Sequence, residues 1–60
     1  MDSVSDVAEL AKVCANQARL TTSTEVARAL WRMAKQYQAR AAKLDNGTLP
    51  EIGEPPYLLK

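Results

Sequence analysis

The second half of the chain carries one apolar stripe at helical spacing, and this stripe limits what the chain can fold into. Small or apolar residues recur at intervals of 3-4-3-4-3, namely Ala27, Leu30, Ala34, Tyr37, Ala41 and Leu44. This rhythm is typical of a helix that lies along another helix. Because 60 residues hold only two such helices and a short remainder, the stripe predicts an all-α protein with a very small core.

Two helices joined by a short polar break account for residues 1–47. The first is predicted over about residues 3–20, with Ser3 as its cap, because that stretch holds no Gly or Pro. Three threonines and a serine then occupy residues 21–24, where their side chains bond the backbone and interrupt the helix. The second helix is predicted over about residues 23–45. A connection this short makes the helices antiparallel neighbours, so the predicted fold is an antiparallel two-helix hairpin.

The first helix carries a matching stripe that sets the register of the hairpin. Its members recur at 3-4-3-4 spacing and are Val4, Val7, Ala11, Cys14 and Ala18. With the turn near residue 22, the numbers of facing residues sum to about 44, which places Cys14 opposite Leu30. This register predicts that small side chains face large ones across the two helices, and that Arg19 meets Glu25 on the surface.

The chain changes character after Asn46-Gly47, a pair that supplies the left-handed residues common at helix ends. Residues 48–60, the tail, hold all three prolines together with several large apolar side chains. This composition predicts an extended, Pro-rich segment. Two alternatives stay open for the tail: it folds back over the hairpin and covers Trp31 or Tyr37, or it inserts into a partner's groove as a short linear motif.

Composition argues against catalysis and against a metal or other cofactor. The chain has no His, and its single cysteine, Cys14, lies in the middle of the apolar face of the first helix. The chain therefore lacks the side chain best suited to general acid–base catalysis near neutral pH, a disulfide of its own and the commonest zinc ligand, and we expect no enzyme. The apolar runs are too short for a bilayer, and the N-terminus is unlike a signal peptide, so we expect a cytoplasmic protein with a reduced thiol and no membrane contact.

A hairpin this poor in large apolar side chains implies a protein partner. Many of the apolar residues, 47% of the chain, are alanines, and burial in a lone hairpin scarcely offsets chain entropy. We therefore predict a protein-binding module, either a homodimer or a regulatory, inhibitory or accessory subunit of a larger protein. The residues expected at the protein interface are Leu10, Val13, Trp31, Tyr37, Tyr57 and Leu58.

Three of these residues lie off the apolar stripes and favour a homodimer with a four-helix bundle core. Trp31 lies about 40° beyond the edge of its stripe, and its indole is too large for a two-helix contact. Leu10 and Val13 lie on the side of the first helix away from the second. The shared core is expected to contain Val7, Cys14, Leu30, Met33, Tyr37 and Leu44. This layout resembles the small hairpins that pair into antiparallel four-helix bundles, such as the plasmid-copy-number RNA-binding bundle protein, and the hairpin inhibitors of bacterial signalling kinases.

Nucleic-acid binding is the alternative function, and it depends on the charge of the second helix. Residues 24–44 carry five basic residues against one acid, Glu25. Four of the cations are candidates for contacts with phosphates, namely Arg28, Arg32, Lys35 and Arg40. They lie opposite the apolar stripe, where they also suit a solvated surface, and the formal charge of +1 for the whole chain favours the solvated surface.

Overall fold

The computed structural model describes residues 4–59 and shows two antiparallel helices crossed by the tail. Helix α1 spans Val4–Leu20, helix α2 spans Thr24–Leu44, and a short 3₁₀ helix covers Tyr57–Leu59. The all-α hairpin predicted from the two stripes is confirmed, and no strand occurs within residues 4–59. The predicted cap Ser3 lies outside the described residues.

Hydroxyl groups in the break between the helices satisfy backbone groups that the helices leave unpaired. Ser23 is the N-cap of α2, with extended backbone (φ −94°, ψ 121°), and its Oγ accepts a hydrogen bond from the N–H of Val26 at 3.3 Å. Thr21 Oγ1 accepts from the N–H of Ser23 at 3.2 Å. These bonds place Ser23 outside the helix, so α2 begins at the next residue.

Left-handed backbone ends α2, as the Asn46-Gly47 pair predicts. Asn46 has φ 54° and Gly47 has φ 91°. The chain reversal lets the N–H of Gly47 donate to the carbonyl of Ala42 at 2.7 Å, so that a carbonyl in the last turn keeps a partner. The tail then leaves the helix end in a direction that returns it along the hairpin.

Alanines from both helices form the seam of the hairpin. Each is at most 1% exposed, and together they are Ala11, Ala15, Ala18, Ala27, Ala34 and Ala41. Val7, at 1% exposed, and Cys14 are buried beside them on α1. Because most of the buried side chains are methyl groups, the two backbones can approach closely. The large side chains of the α2 stripe are less buried than these alanines, since Leu30 and Tyr37 are half-buried.

The tail folds back over the hairpin and completes its core. Ile52 is 6% exposed and belongs to the central cluster, whose other members are Ala11, Cys14, Ala15 and Ala34. Trp31 and Tyr37 pack against this cluster, and Pro56 is also buried. Residues 48–56 contain no regular helix or strand, and the 3₁₀ helix that follows them lies against α2. One aliphatic side chain of the tail thus adds a large apolar group to a cluster whose other members are three alanines and Cys14.

Candidate protein-interaction site

Hydrogen bonds to the tail show which side of the hairpin the tail covers. Arg19 on α1 and Gln38 on α2 both donate to tail carbonyls, so we call their side the tail face. At 100° per residue, Ala15 lies on the same side of α1 as Arg19, and Trp31 lies on the same side of α2 as Gln38. We call the opposite side of the hairpin the open face. On each helix it lies on the other flank of the seam from the tail face.

Arg19 holds the tail through two backbone carbonyls. Its Nη1 donates to the carbonyl of Ile52 at 2.8 Å and to that of Glu54 at 2.9 Å, while Nη2 donates to Asn16 Oδ1 at 3.3 Å. Gly53 lies between the two carbonyls with φ +83°, and a Cβ there would lie 3.0 Å from Nη1. Glycine at this position therefore allows both the left-handed backbone conformation and the close approach of the Arg19 guanidinium.

Gln38 provides the second attachment, since its Nε2 donates to the carbonyl of Pro50 at 2.9 Å. Sequence analysis missed both attachments and placed Arg19 beside Glu25. The structure directs the Arg19 guanidinium to the tail instead, where two carbonyls accept from a single charged group. Only the positions of the two donors could have indicated these bonds. Arg19 on α1 and Gln38 on α2 both lie on the side of the hairpin to which Trp31 also belongs.

The predicted interface residues are divided between the two faces. Trp31 lies on the tail face and packs against the cluster that contains Ile52, so its own chain supplies the cover for which a partner was expected. Leu58 is half-buried, whereas Tyr57 is 74% exposed at the end of the tail. Tyr37 also packs on the central cluster and lies toward the open face.

The open face carries large apolar side chains that stay accessible to solvent. Its exposed members are Leu10 (45%), Val26 (47%), Met33 (42%) and Leu44 (50%), and Val13 (47%) lies at its outer edge on α1. Leu30 and Tyr37 form its half-buried floor. A shallow hollow of about 280 Å³ opens on this face, lined by Met33, Gln36, Tyr37 and Arg40 of a single helix. A second helix laid along the face would close this hollow.

The four candidate phosphate ligands are exposed but do not converge on one spot. Helix geometry places Arg28 and Lys35 in one row beside the tail face, with Arg32 further out. Arg40 lies beside Tyr37 toward the open face, about 130° around the helix from that row. The four cations therefore spread around the outer half of α2 and do not form one compact patch.

Residues 4–59 present no constellation for metal binding: no three His, Cys, Asp or Glu side chains lie together as ligands. Cys14 is buried with its thiol free, in the central cluster. Neither of the two long helices described has the length and apolar content needed to cross a membrane.

The chain matches no protein-family model, and comparison with curated proteins and with solved structures finds no similar one. No functional residue can therefore be carried over from a relative, and the surfaces described above are the basis for assigning a function.

Proposed function

We propose that this chain is a small, non-enzymatic protein-binding module that pairs with a second copy through its open face and forms a four-helix bundle. One observation carries the proposal: the large apolar side chains that the alanine seam cannot hold are exposed together on the side opposite the tail. Their solvent exposure is costly, and a second apolar face removes that cost.

The total surface of the chain supports a missing cover. A monomeric protein of 6.6 kDa exposes roughly 3,900 Å² by the usual relation of surface to mass. This chain exposes 4326 Å², about a tenth more. The excess matches a thin molecule whose helices form a single layer beneath the tail.

The dimensions of the molecule set the expected strength of pairing. Its Cα framework measures 33 × 21 × 13 Å, so the broad side has the two larger dimensions. An elliptical footprint 33 Å long and 13 to 21 Å wide covers roughly 340–550 Å² per copy, or about 700–1,100 Å² in total, at or below the lower limit for specific interfaces. We therefore expect a dimer of micromolar affinity that dissociates on dilution.

Rows at seven-residue spacing favour contact between the two α2 helices. Leu30, Tyr37 and Leu44 form one row along the open face, and Val26 and Met33 begin a second row beside it. With the two-fold axis near the middle of α2, Met33 of one copy faces Tyr37 of the other. The Met33 side chain, unbranched and adaptable, then fills the hollow beside Tyr37 of the facing copy.

Replacing Met33 by Glu is expected to convert the dimer to a monomer without unfolding it. The new carboxylate would be desolvated at the centre of the interface, while in the monomer it remains exposed. Sedimentation equilibrium at about 100 µM should give twice the chain mass for the wild type and a single chain mass for Met33→Glu.

Ala39→Glu is the matched control, because Ala39 is exposed on the outer side of the same helix. This control should sediment as the wild type does, and circular dichroism should show equal helix content in all three proteins. A wild-type chain that sediments as a monomer at that concentration contradicts self-pairing.

The open face equally suits a helix of a larger protein, for which this chain would act as a regulatory, inhibitory or accessory subunit. In that case capture of a single larger protein depends on Met33 and Leu10, and the purified chain is a monomer. A cytoplasmic location accords with either form of the proposal, since the buried free thiol of Cys14 suits a reducing compartment.

The alternative proposal is nucleic-acid binding through Arg28, Arg32, Lys35 and Arg40, and the exposure of all four supports it. Four phosphate contacts would make affinity fall roughly a hundredfold between about 50 and 200 mM salt. For a protein-binding module we expect no retarded band with duplex DNA or RNA at the lower salt concentration. A retarded band that disappears at the higher salt concentration, and in Arg28→Gln, supports the alternative instead.

A further inference from the structure

We infer that the tail face is a peptide-binding groove for extended, acidic, proline-containing segments, and that the chain's own tail is its intramolecular ligand. The inference uses the face opposite the proposed dimer interface, and its evidence is independent of that proposal. The tail seated in the groove shows which chemistry the groove accepts.

The polar contacts of the groove recognise backbone and not side chains. Arg19 and Gln38 stand on different helices and donate to the carbonyls of Pro50, Ile52 and Glu54. Carbonyls are present in every peptide, so these donors select an extended conformation that presents its carbonyls at the right intervals. A Pro-containing ligand suits such donors, because it needs no N–H partner and is already partly ordered.

Two buried side chains of the tail supply the sequence preference. Ile52 packs into the central cluster with alanines of both helices, and Pro56, four residues later, is fully buried. Gly follows the aliphatic residue because φ of +83° at Gly53 disfavours any L side chain, and a Cβ there would also lie 3.0 Å from Arg19 Nη1. The preferred ligand therefore has an aliphatic residue, then Gly, and a Pro three residues after that Gly.

Charge on the rims of the groove adds a preference for acidic ligands. Helix geometry places one pair of cations, seven residues apart, on the tail side of each helix. These cations are Lys12 and Arg19 on α1 and Arg28 and Lys35 on α2. The tail between them presents Glu51 and Glu54, both exposed. Arg28 and Lys35, two of the four residues predicted to contact phosphates, thus also suit an acidic peptide.

The intramolecular ligand hides the groove in the intact chain. The tail is joined to α2 through the exposed residues 45–49, a link short enough to give an effective concentration in the millimolar range. A separate peptide at micromolar concentration cannot compete with it. A partner segment can bind only when the tail leaves the groove, so the partner segment and the tail exchange with each other in the same site.

The test uses full-length chains and a fluorescein-labelled peptide of residues 48–60. In Ile52→Asp the tail loses its buried anchor, while Arg19, Trp31 and Gln38 remain in the groove. Fluorescence anisotropy should show that the peptide binds Ile52→Asp at least about tenfold more tightly than it binds the wild type. A peptide that itself carries Ile52→Asp should not bind.

Further variants separate the groove from the open face. Adding Arg19→Gln to Ile52→Asp should abolish peptide binding, whereas adding Met33→Glu should leave it unchanged. Equal binding of the peptide to wild type and Ile52→Asp, or equal binding of the two peptides, overturns the inference. If Ile52→Asp alone has lost its helical circular dichroism signal, the wild-type peptide must restore that signal, and a signal that does not recover overturns the inference equally.

Discussion

An Ala34→Leu chain is expected to be destabilised by about 1–3 kcal/mol or more. Ala34 is 0% exposed and lies in the seam and in the central cluster, where Ala11 and Ala15 of the other helix meet it. Three additional carbon atoms there must push the helices apart, at a cost of about 1–3 kcal/mol or more. A domain of this length has only about 3–5 kcal/mol of stability from its core, so the loss is a large fraction of its free energy of unfolding.

Thermal and urea unfolding followed by circular dichroism measures this effect. Ala39→Leu adds the same atoms to an exposed position of the same helix, and we expect its stability to stay within about 0.5 kcal/mol of the wild type. If Ala34→Leu unfolds at the same temperature as Ala39→Leu, the helices are far enough apart to accept a large side chain, and the close alanine seam described here is wrong.

The hairpin was predictable from sequence because each helix repeats small residues at helical spacing on both sides of one polar break. The width of the seam was harder to predict. A stripe at 3-4 spacing includes Ala11, Cys14 and Ala18, but Ala15, on the side that the tail covers, is also buried and belongs to the cluster with Ile52. Spacing alone does not reveal how near the helices lie, and that distance decides whether a large residue such as Tyr37 enters the seam or stays at its edge.

The path of the tail could not be predicted, because distant partners determine it. The Arg19 guanidinium meets carbonyls 33 and 35 positions away in sequence, and Gln38 meets one 12 positions away. A backbone carbonyl is the same group at every residue, so its choice as an acceptor leaves no pattern in the sequence. The need of Trp31 for additional cover was evident from its size, whereas the source of that cover depended on these bonds.

The candidate site was predictable only in part, because helix geometry places residues on a face but does not show which face the tail covers. Leu10 and Val13 follow from helix geometry alone, and the structure leaves both exposed. Met33 was expected in a shared core, and it lies on the open face where such a core would form. Trp31 was predicted to lie at the same protein interface as Leu10 and Val13, but it lies on the tail face. Each apolar stripe has two flanks, and the sequence does not show which flank the tail covers.

Replacing Ile52 by Ala is the second change expected to have a large effect. Ile52 is the tail's contribution to the central cluster, which otherwise consists of three alanines and Cys14. Truncation of a buried Ile to Ala costs about 2–4 kcal/mol, and for a domain of this size we expect the melting temperature to fall by at least about 10 °C. The same truncation should expose Trp31 and shift its fluorescence to longer wavelength, since the tail no longer holds its place beside the indole.

Leu49→Ala provides the control within the same segment. Leu49 is 60% exposed, so truncation there removes little buried surface and should change stability by less than about 0.5 kcal/mol. A difference between the two variants assigns the loss to the central cluster and not to the tail's overall hydrophobicity. Equal melting temperatures would mean that the alanine seam is stable without the tail, and the groove between Arg19 and Gln38 would then have no role in folding.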